Sequence, residues 1–264
     1  MIRSYVSIAL AFGLLACGDD QGPPTSSAYP YEENTATVIG DQGLEGQTIN
    51  AGADGCVMTT AGDCIDLDRE CGNNAAADVV VDGDGTIRSV ICYPTSNADI
   101  AVVGEAQTQN FVASNNTVVV IDGADDGVDI AGNLELEGNN VVVYGDGPDV
   151  SIIDGDLIID KNNVAVRGVT IKGNVTIALN NASLLYCVIE GDLIIHQNDA
   201  TIAACEVHGD IIINQNNVVL VSNTFAETDV SVATLAGAQN LECHDNVWMN
   251  PESGEAGAEI NCVQ

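Results

Sequence analysis

The chain has 264 residues, of which 39 are Asp or Glu and only six are Lys or Arg, a formal charge of −33 at pH 7. Such a surface repels phosphate and excludes nucleic acid as a partner, whereas it suits salty or cation-rich surroundings or the binding of divalent cations. An apolar share of 46% over this length supports a continuous core and argues against global disorder.

Residues 1–16 place Arg3 ahead of an apolar run from Val6 to Ala16, the pattern of an export signal. Leu14-Leu15-Ala16-Cys17 resembles the bacterial lipobox, which implies cleavage before Cys17 and lipidation of that residue. Gly18 then favours the outer membrane by analogy with known sorting rules. No later apolar run reaches the roughly 18 residues that would span a bilayer, so attachment is expected through lipid alone. The expected location is the cell envelope, as an outer-membrane lipoprotein or at the extracellular surface. Residues 17–40, polar and rich in Pro, Ser and Thr, read as the lipidated Cys and a flexible tether.

Residues 41–103 form a small Cys-rich unit without the periodicity found later. Cys56, Cys64, Cys71 and Cys92 form an even set in an exported chain, which points to disulfides; their spacing lacks the paired C-x₂₋₄-C of a zinc site. Residues 77–94 predict a hairpin, with strands Val79–Val81 and Thr86–Cys92 about a Gly-Asp-Gly turn. Asp82 and Asp84 resemble the start of an EF-hand loop, but the terminal Glu is missing, which favours a plain turn.

From 104 to 250 the chain repeats. Units GDLIIDKNNVAVRGVTIK, GNVTIALNNASLLYCVIE and GDLIIHQNDATIAACEVH begin at Gly155, Gly173 and Gly191, and a further unit begins at Gly209. Each holds three alternating apolar pairs, such as Leu157/Ile159, Val164/Val166 and Val169/Ile171. Period-two alternation in Val and Ile predicts three short strands per unit, and no window has helical spacing. A unit cannot bury its own apolar row, so the units must stack into a solenoid, strand on strand at about 4.8 Å. Asn163, Asn181, Asp199 and Asn217 then form one column, suited to left-handed turn angles and to amide stacking. Earlier units begin at 108 and 132, with acidic, Gly-rich insertions at 121–127 and 144–149 on one corner; residues 251–264 are expected to cap the open end.

Segments NNVVLVSNTF (216–225) and QNLECHDNVW (239–248) resemble repeats of the right-handed parallel β-helix, or pectin lyase-like, superfamily, with its asparagine ladder. The predicted fold is therefore all-β, a right-handed parallel β-helix preceded by a small disulfide-bonded domain. Left-handed hexapeptide helices also have 18-residue coils, but their turns are six apart, whereas here the apolar pairs are spaced seven, five and six. Cys187 and Cys205 lie one repeat apart in one interior column, where a disulfide competes with two packed thiols; the bond is the expectation, with Cys243 left to pair with Cys262.

The resemblance implies substrate binding across the strand at 169–171 and its equivalents. Outward or flanking positions there are Asp129, Asp154, Thr170, Lys172, Glu190, Glu206 and His208, with Asp125, Asp126, Asp146 and Asp149 in the insertions. Lys172, Glu190, Glu206 and His208 are the catalytic candidates: Lys172 as the base of a polysaccharide lyase, or Glu190 and Glu206 as the paired carboxylates of a glycoside hydrolase. Glu190, Asp192 and Asp210 are the candidate ligands of a Ca²⁺ ion. The same residues also read as turn formers and an exposed ladder of alternating charge, and so acidic a face, with Arg167 the one Arg nearby, would repel uronate polymers. The favoured reading is a non-catalytic binding or structural module for a polysaccharide or another cell-surface component. The mature N-terminus should carry acyl chains on Cys17, and Cys17→Ser should move the protein out of the membrane fraction; mass spectrometry and fractionation check this.

Overall fold

The computed structural model describes residues 33–40, 47–51, 56–59, 62–72, 76–94, 98–103, 109–122, 128–214, 216–226, 240–249 and 256–259. Cys17, Asp125, Asp126 and Cys262 lie outside these. Three parallel sheets form the solenoid. The chain visits them in turn, once per coil, as stacked units require. One stacks Phe111–Ala113, Leu134–Leu136, Leu157–Ile159 and their successors to Ile211–Ile213. The strands after the Asn pairs form an eight-stranded sheet from Asp99–Val103 to Leu241–His244. The third begins at Ile152–Ile153 and includes Thr170–Ile171, Val188–Ile189 and Glu206–Val207. The fold is a parallel β-helix, as the repeat predicts.

Register follows the repeat. Leu157 pairs with Val175, Val175 with Leu193 and Leu193 with Ile211, and all four are buried. Ile171, Ile189, Val207 and Phe225 form a second interior column, which Trp248 extends with its ring 6.2 Å from that of Phe225. Gly155, Gly173, Gly191 and Gly209 recur because a Cβ at each would meet the backbone of the coil before at 2.4–2.7 Å. Ala256–Glu259 pairs antiparallel with Val247–Met249, so the tail covers that sheet edge.

The expected Cys187–Cys205 disulfide is not formed; both thiols are free and buried. Side chains in a parallel in-register ladder project side by side, so their Cβ atoms stay about a strand spacing apart instead of converging to the roughly 3.8 Å a disulfide needs. The thiols serve the backbone. The Cys187 N–H donates to Cys205 Sγ at 3.4 Å, and the Cys205 N–H to Asn223 Oδ1 at 2.9 Å. The Asn223 N–H in turn donates to Asn246 Oδ1 at 3.0 Å. Cys243 is disulfide-bonded.

The N-terminal unit is β1 (Thr35–Ile39), β2 (Thr48–Asn50), β3 (Cys56–Met58), β4 (Cys64–Asp66), α1 (Leu67–Cys71), β5 (Ala76–Val81) and β6 (Ile87–Tyr93). Disulfides join Cys56 to Cys64 and Cys71 to Cys92. The predicted hairpin is β5–β6, paired antiparallel from Ala76↔Tyr93. Two boundaries differ from the sequence expectation. β1 lies within the expected tether, yet pairs parallel with β5 and is fully buried. Asp99–Val103, assigned to the Cys-rich unit, is the first strand of the eight-stranded sheet. Asp99–Val103 carries neither the Gly-Asp nor the Asn-Asn mark of the repeat, and the Gly40-Asp41 after β1 opens no 18-residue unit.

The sheet β2-β1-β5-β6 covers the outer face of the eight-stranded sheet. Ile39, Val80, Ile91 and Tyr93 pack against Val118, Leu185, Ala203 and Val221. Within this contact Arg167 Nη1 lies 2.6 Å from Asp78 Oδ1, and Tyr93 Oη donates to Asp78 Oδ2 at 2.8 Å. Burial pushes Asp78 above the usual carboxylate range, although Arg167 and Tyr93 pull it down. The folded chain therefore holds this proton more tightly than the unfolded one, and the group's contribution to stability falls as pH rises from the ordinary carboxylate value through the folded one. Arg167→Leu leaves a buried carboxylate unpaired and should cost about 3–5 kcal/mol at neutral pH. The deficit should shrink on acidification as Asp78 takes up a proton, and denaturant titrations at both pH values check it.

Candidate functional site

The face chosen from the sequence, around 169–171, is only partly outward. Asp129 is buried, its Oδ2 accepting the Ile152 N–H at 2.8 Å. Thr170 is nearly buried and donates its hydroxyl to Pro148 O at 2.6 Å, so the 144–149 insertion folds onto this sheet. Asp146 and Asp149 sit in that insertion. Arg167 is spent on Asp78 beneath the N-terminal sheet, away from this face.

Lys172, Glu190 and His208 do form the expected column, since Thr170, Val188 and Glu206 are in register two residues before them. Asp154 extends it, and its Oδ1 lies 2.9 Å from Lys172 Nζ. That hydrogen bond, with the nearby Asp154 and Glu190 charges, raises the Lys172 pKa and holds an ammonium, the opposite of what a general base needs. Glu206 pairs instead with His208 at 2.5 Å. The column is an exposed charge ladder.

Glu190, Asp192 and Asp210 are not gathered as ligands; among the described residues no group of three His, Cys, Asp or Glu side chains could hold a metal. The cause is local. Asp192 Oδ1 accepts the Asp210 N–H at 2.9 Å, Asn174 Oδ1 accepts the Asp192 N–H, and Asp156 Oδ1 accepts the Asn174 N–H, both at 2.8 Å. The residue after each Gly thus ties one coil to the next, and its side chain is aimed along the stack. Asp82 is likewise engaged: Arg88 Nε and Nη2 reach its Oδ2 at 2.8 and 2.6 Å. Burial alone would raise its pKa, but the Thr86 N–H and Arg88 hold it below the usual range.

The structure brings together a different site. Between β6 and the eight-stranded sheet runs a groove of about 640 Å³. Its floor is one outward column, Val142, Ala165, Ser183, Thr201 and Val219, paired in register. One wall is β6 from Ser89 to Cys92, whose Ser89 Oγ accepts from Thr201 Oγ1 at 3.3 Å. The other wall is the turn column Asn116, Asn140, Asn163, Asn181, Asp199 and Asn217. All six have positive φ, from 54° to 60°, the left-handed region that Asn and Asp tolerate.

The side chains of that wall form a ladder. Asn140 Nδ2 donates to Asn116 Oδ1 at 2.9 Å, then Asn163 to Asn140 and Asn181 to Asn163, each at 3.0 Å. Asn217 Nδ2 donates to Asp199 Oδ1, and Asn240 Nδ2 to Asn217 Oδ1, again at 3.0 Å. The rung between is broken because the carboxylate of Asp199 has no N–H to offer Asn181 Oδ1. The sequence marks the ladder but not the groove, which needs the N-terminal wall. The available signal was the outward apolar residues of the eight-stranded sheet, as in VVVI (118–121) and VVV (141–143), which imply cover on both faces.

Comparison with protein-family models finds no match, and comparisons with curated proteins and with solved structures find none. Asp199→Asn should complete the ladder and stabilise the fold by about 0.5–1.5 kcal/mol, toward the lower end at this exposed position, read as a higher urea midpoint.

Proposed function

We propose that this chain is a non-catalytic binding and structural module, held at the cell surface through lipid on Cys17, which recognises carbohydrate or another surface component. The observation that carries this reading is the groove beside the Asn ladder, a long recess walled by amides and backbone with hydroxyls on its floor. Side-chain amides and hydroxyls both donate and accept, which suits a ligand dense in hydroxyls. A few placed polar groups along a concave surface are the usual form of a small-ligand site. The pairing of Lys172 with Asp154 and of Glu206 with His208 weighs against the lyase and hydrolase alternatives, since each needs those groups free to accept or deliver a proton.

Purified protein on a glycan array should retain a subset of glycans, while incubation with uronate and neutral polysaccharides should yield neither unsaturated products nor new reducing ends. Lys172→Ala should leave glycan retention within about twofold of the parent, because exposed ion pairs contribute little. Turnover that Lys172→Ala abolishes would reverse the reading in favour of a lyase.

A further inference from the structure

The groove has a direction, a period and a charge, and together these narrow its ligand. This inference rests on the carbohydrate reading and deepens it. β6 runs along the solenoid axis and across the coil strands. Arg88 at its start lies 3.6 Å from Glu242 in the coil of Leu241–His244, Ser89 meets Thr201 two coils earlier, and Tyr93 at its end bonds the Asp78 carboxylate that Arg167 holds two coils earlier again. Both walls are therefore parallel to the axis, and the ligand that fills the groove is linear.

The Asn wall repeats once per coil, about 4.8 Å. A peptide strand advances about 3.3 Å per residue and presents one face every second residue, so it falls out of step with the rungs. An extended chain of equatorially linked hexopyranose rings advances by one ring over a distance close to one rung. Six ladder residues, one per coil, line the groove from Asn116 to Asn217. Among the described residues that line it, Asp199 is the single charged side chain, and no cation is present to neutralise a uronate.

The broken rung adds a specific contact. Asn181 donates to Asn163, and Asn217 donates to Asp199, so neighbouring oxygens of Asn181 and Asp199 both face the gap as acceptors. A hydroxyl donor at that point satisfies one of them and is held by the charge of Asp199.

We infer that the groove binds an uncharged, unbranched, β-linked glycan lying along the solenoid axis, one ring per coil, with a sugar hydroxyl donating into the gap between Asn181 and Asp199. The test uses the full chain in detergent, with calorimetric titration of β-1,4-linked gluco-, manno- and xylo-oligosaccharides of increasing length. Malto-oligosaccharides and oligogalacturonates serve as contrasts. Affinity for one β-linked series should rise with length and level off at about six rings, with no binding of the contrasts. Asp199→Asn should weaken binding about tenfold while raising or preserving the urea midpoint, an opposition that a purely structural residue would not give. Ser183→Tyr, which fills the floor, should abolish binding with the midpoint unchanged. Glycan binding that both variants leave intact would overturn the groove assignment and leave the carbohydrate reading standing. Binding confined to α-linked or uronate chains, or to peptides, would overturn the inference, and no binding of any glycan would remove the carbohydrate reading as well.

Discussion

Everything in this molecule depends on keeping successive coils in register at one strand spacing. Hydrophobic burial drives the stacking and fixes which face of each strand turns inward, but a slip of two residues keeps that face. Register comes from directional bonds that pass between coils at fixed points. The Asp or Asn after each Gly accepts the N–H of its counterpart one coil on, and the first Asn of each pair does the same at the next corner, as in Asn162 to Asn180 and Asn180 to Asn198. The second Asn supplies the amide ladder. Inside the core, where a water cannot serve, Asn246, Asn223 and Cys205 carry the same pattern to the N–H of Cys187. Each bond is worth only about 1 kcal/mol, yet a slip of one residue would break a whole column together and turn every strand inside out.

The second constraint is the outer face of the eight-stranded sheet. Its outward residues are too apolar to meet water as a continuous surface, and the N-terminal sheet exists to cover them. The cover is orthogonal, with its strands crossing those of the coils. It is anchored by apolar packing and by Arg167 reaching the buried Asp78, a pair whose desolvation makes it a specific rather than a strong link. Because the cover stops at β6, short of the Asn corner, it leaves the groove. Fold stabilisation and the candidate site thus arise from the same docking.

The charge of the chain is distributed to match. Asp156 and Asp192 stand at turns, where they accept backbone N–H groups, and Asp154 and Glu190 alternate with Lys172 and His208 on the exposed ladder. The groove is nearly neutral by contrast. An acidic surface around a neutral recess disfavours anionic polymers and lets hydrogen-bonding groups decide what binds.

The parallel β-helix was legible in the sequence because each coil is built from local information. Period-two apolar pairs, a Gly where backbones touch and an Asn where φ must be positive recur every 18 residues, and stacking follows from the need to bury each row. The N-terminal disulfides were legible from an even set of four cysteines whose spacing lacks the pairs of a zinc site. Tertiary structure alone decided the rest. Whether an Asp points outward to a ligand or along the stack to an amide depends on the neighbouring coil, which is why Asp192 and Asp129, read from the sequence as candidates for a site, are found accepting backbone N–H groups of the next coil. Whether Cys187 and Cys205 bond depends on Cβ directions that sequence spacing does not carry. The groove needed β6, about 90 residues before Ser183 in the chain, to be laid against Thr201, and a surface formed by two distant segments has no periodic signal in either.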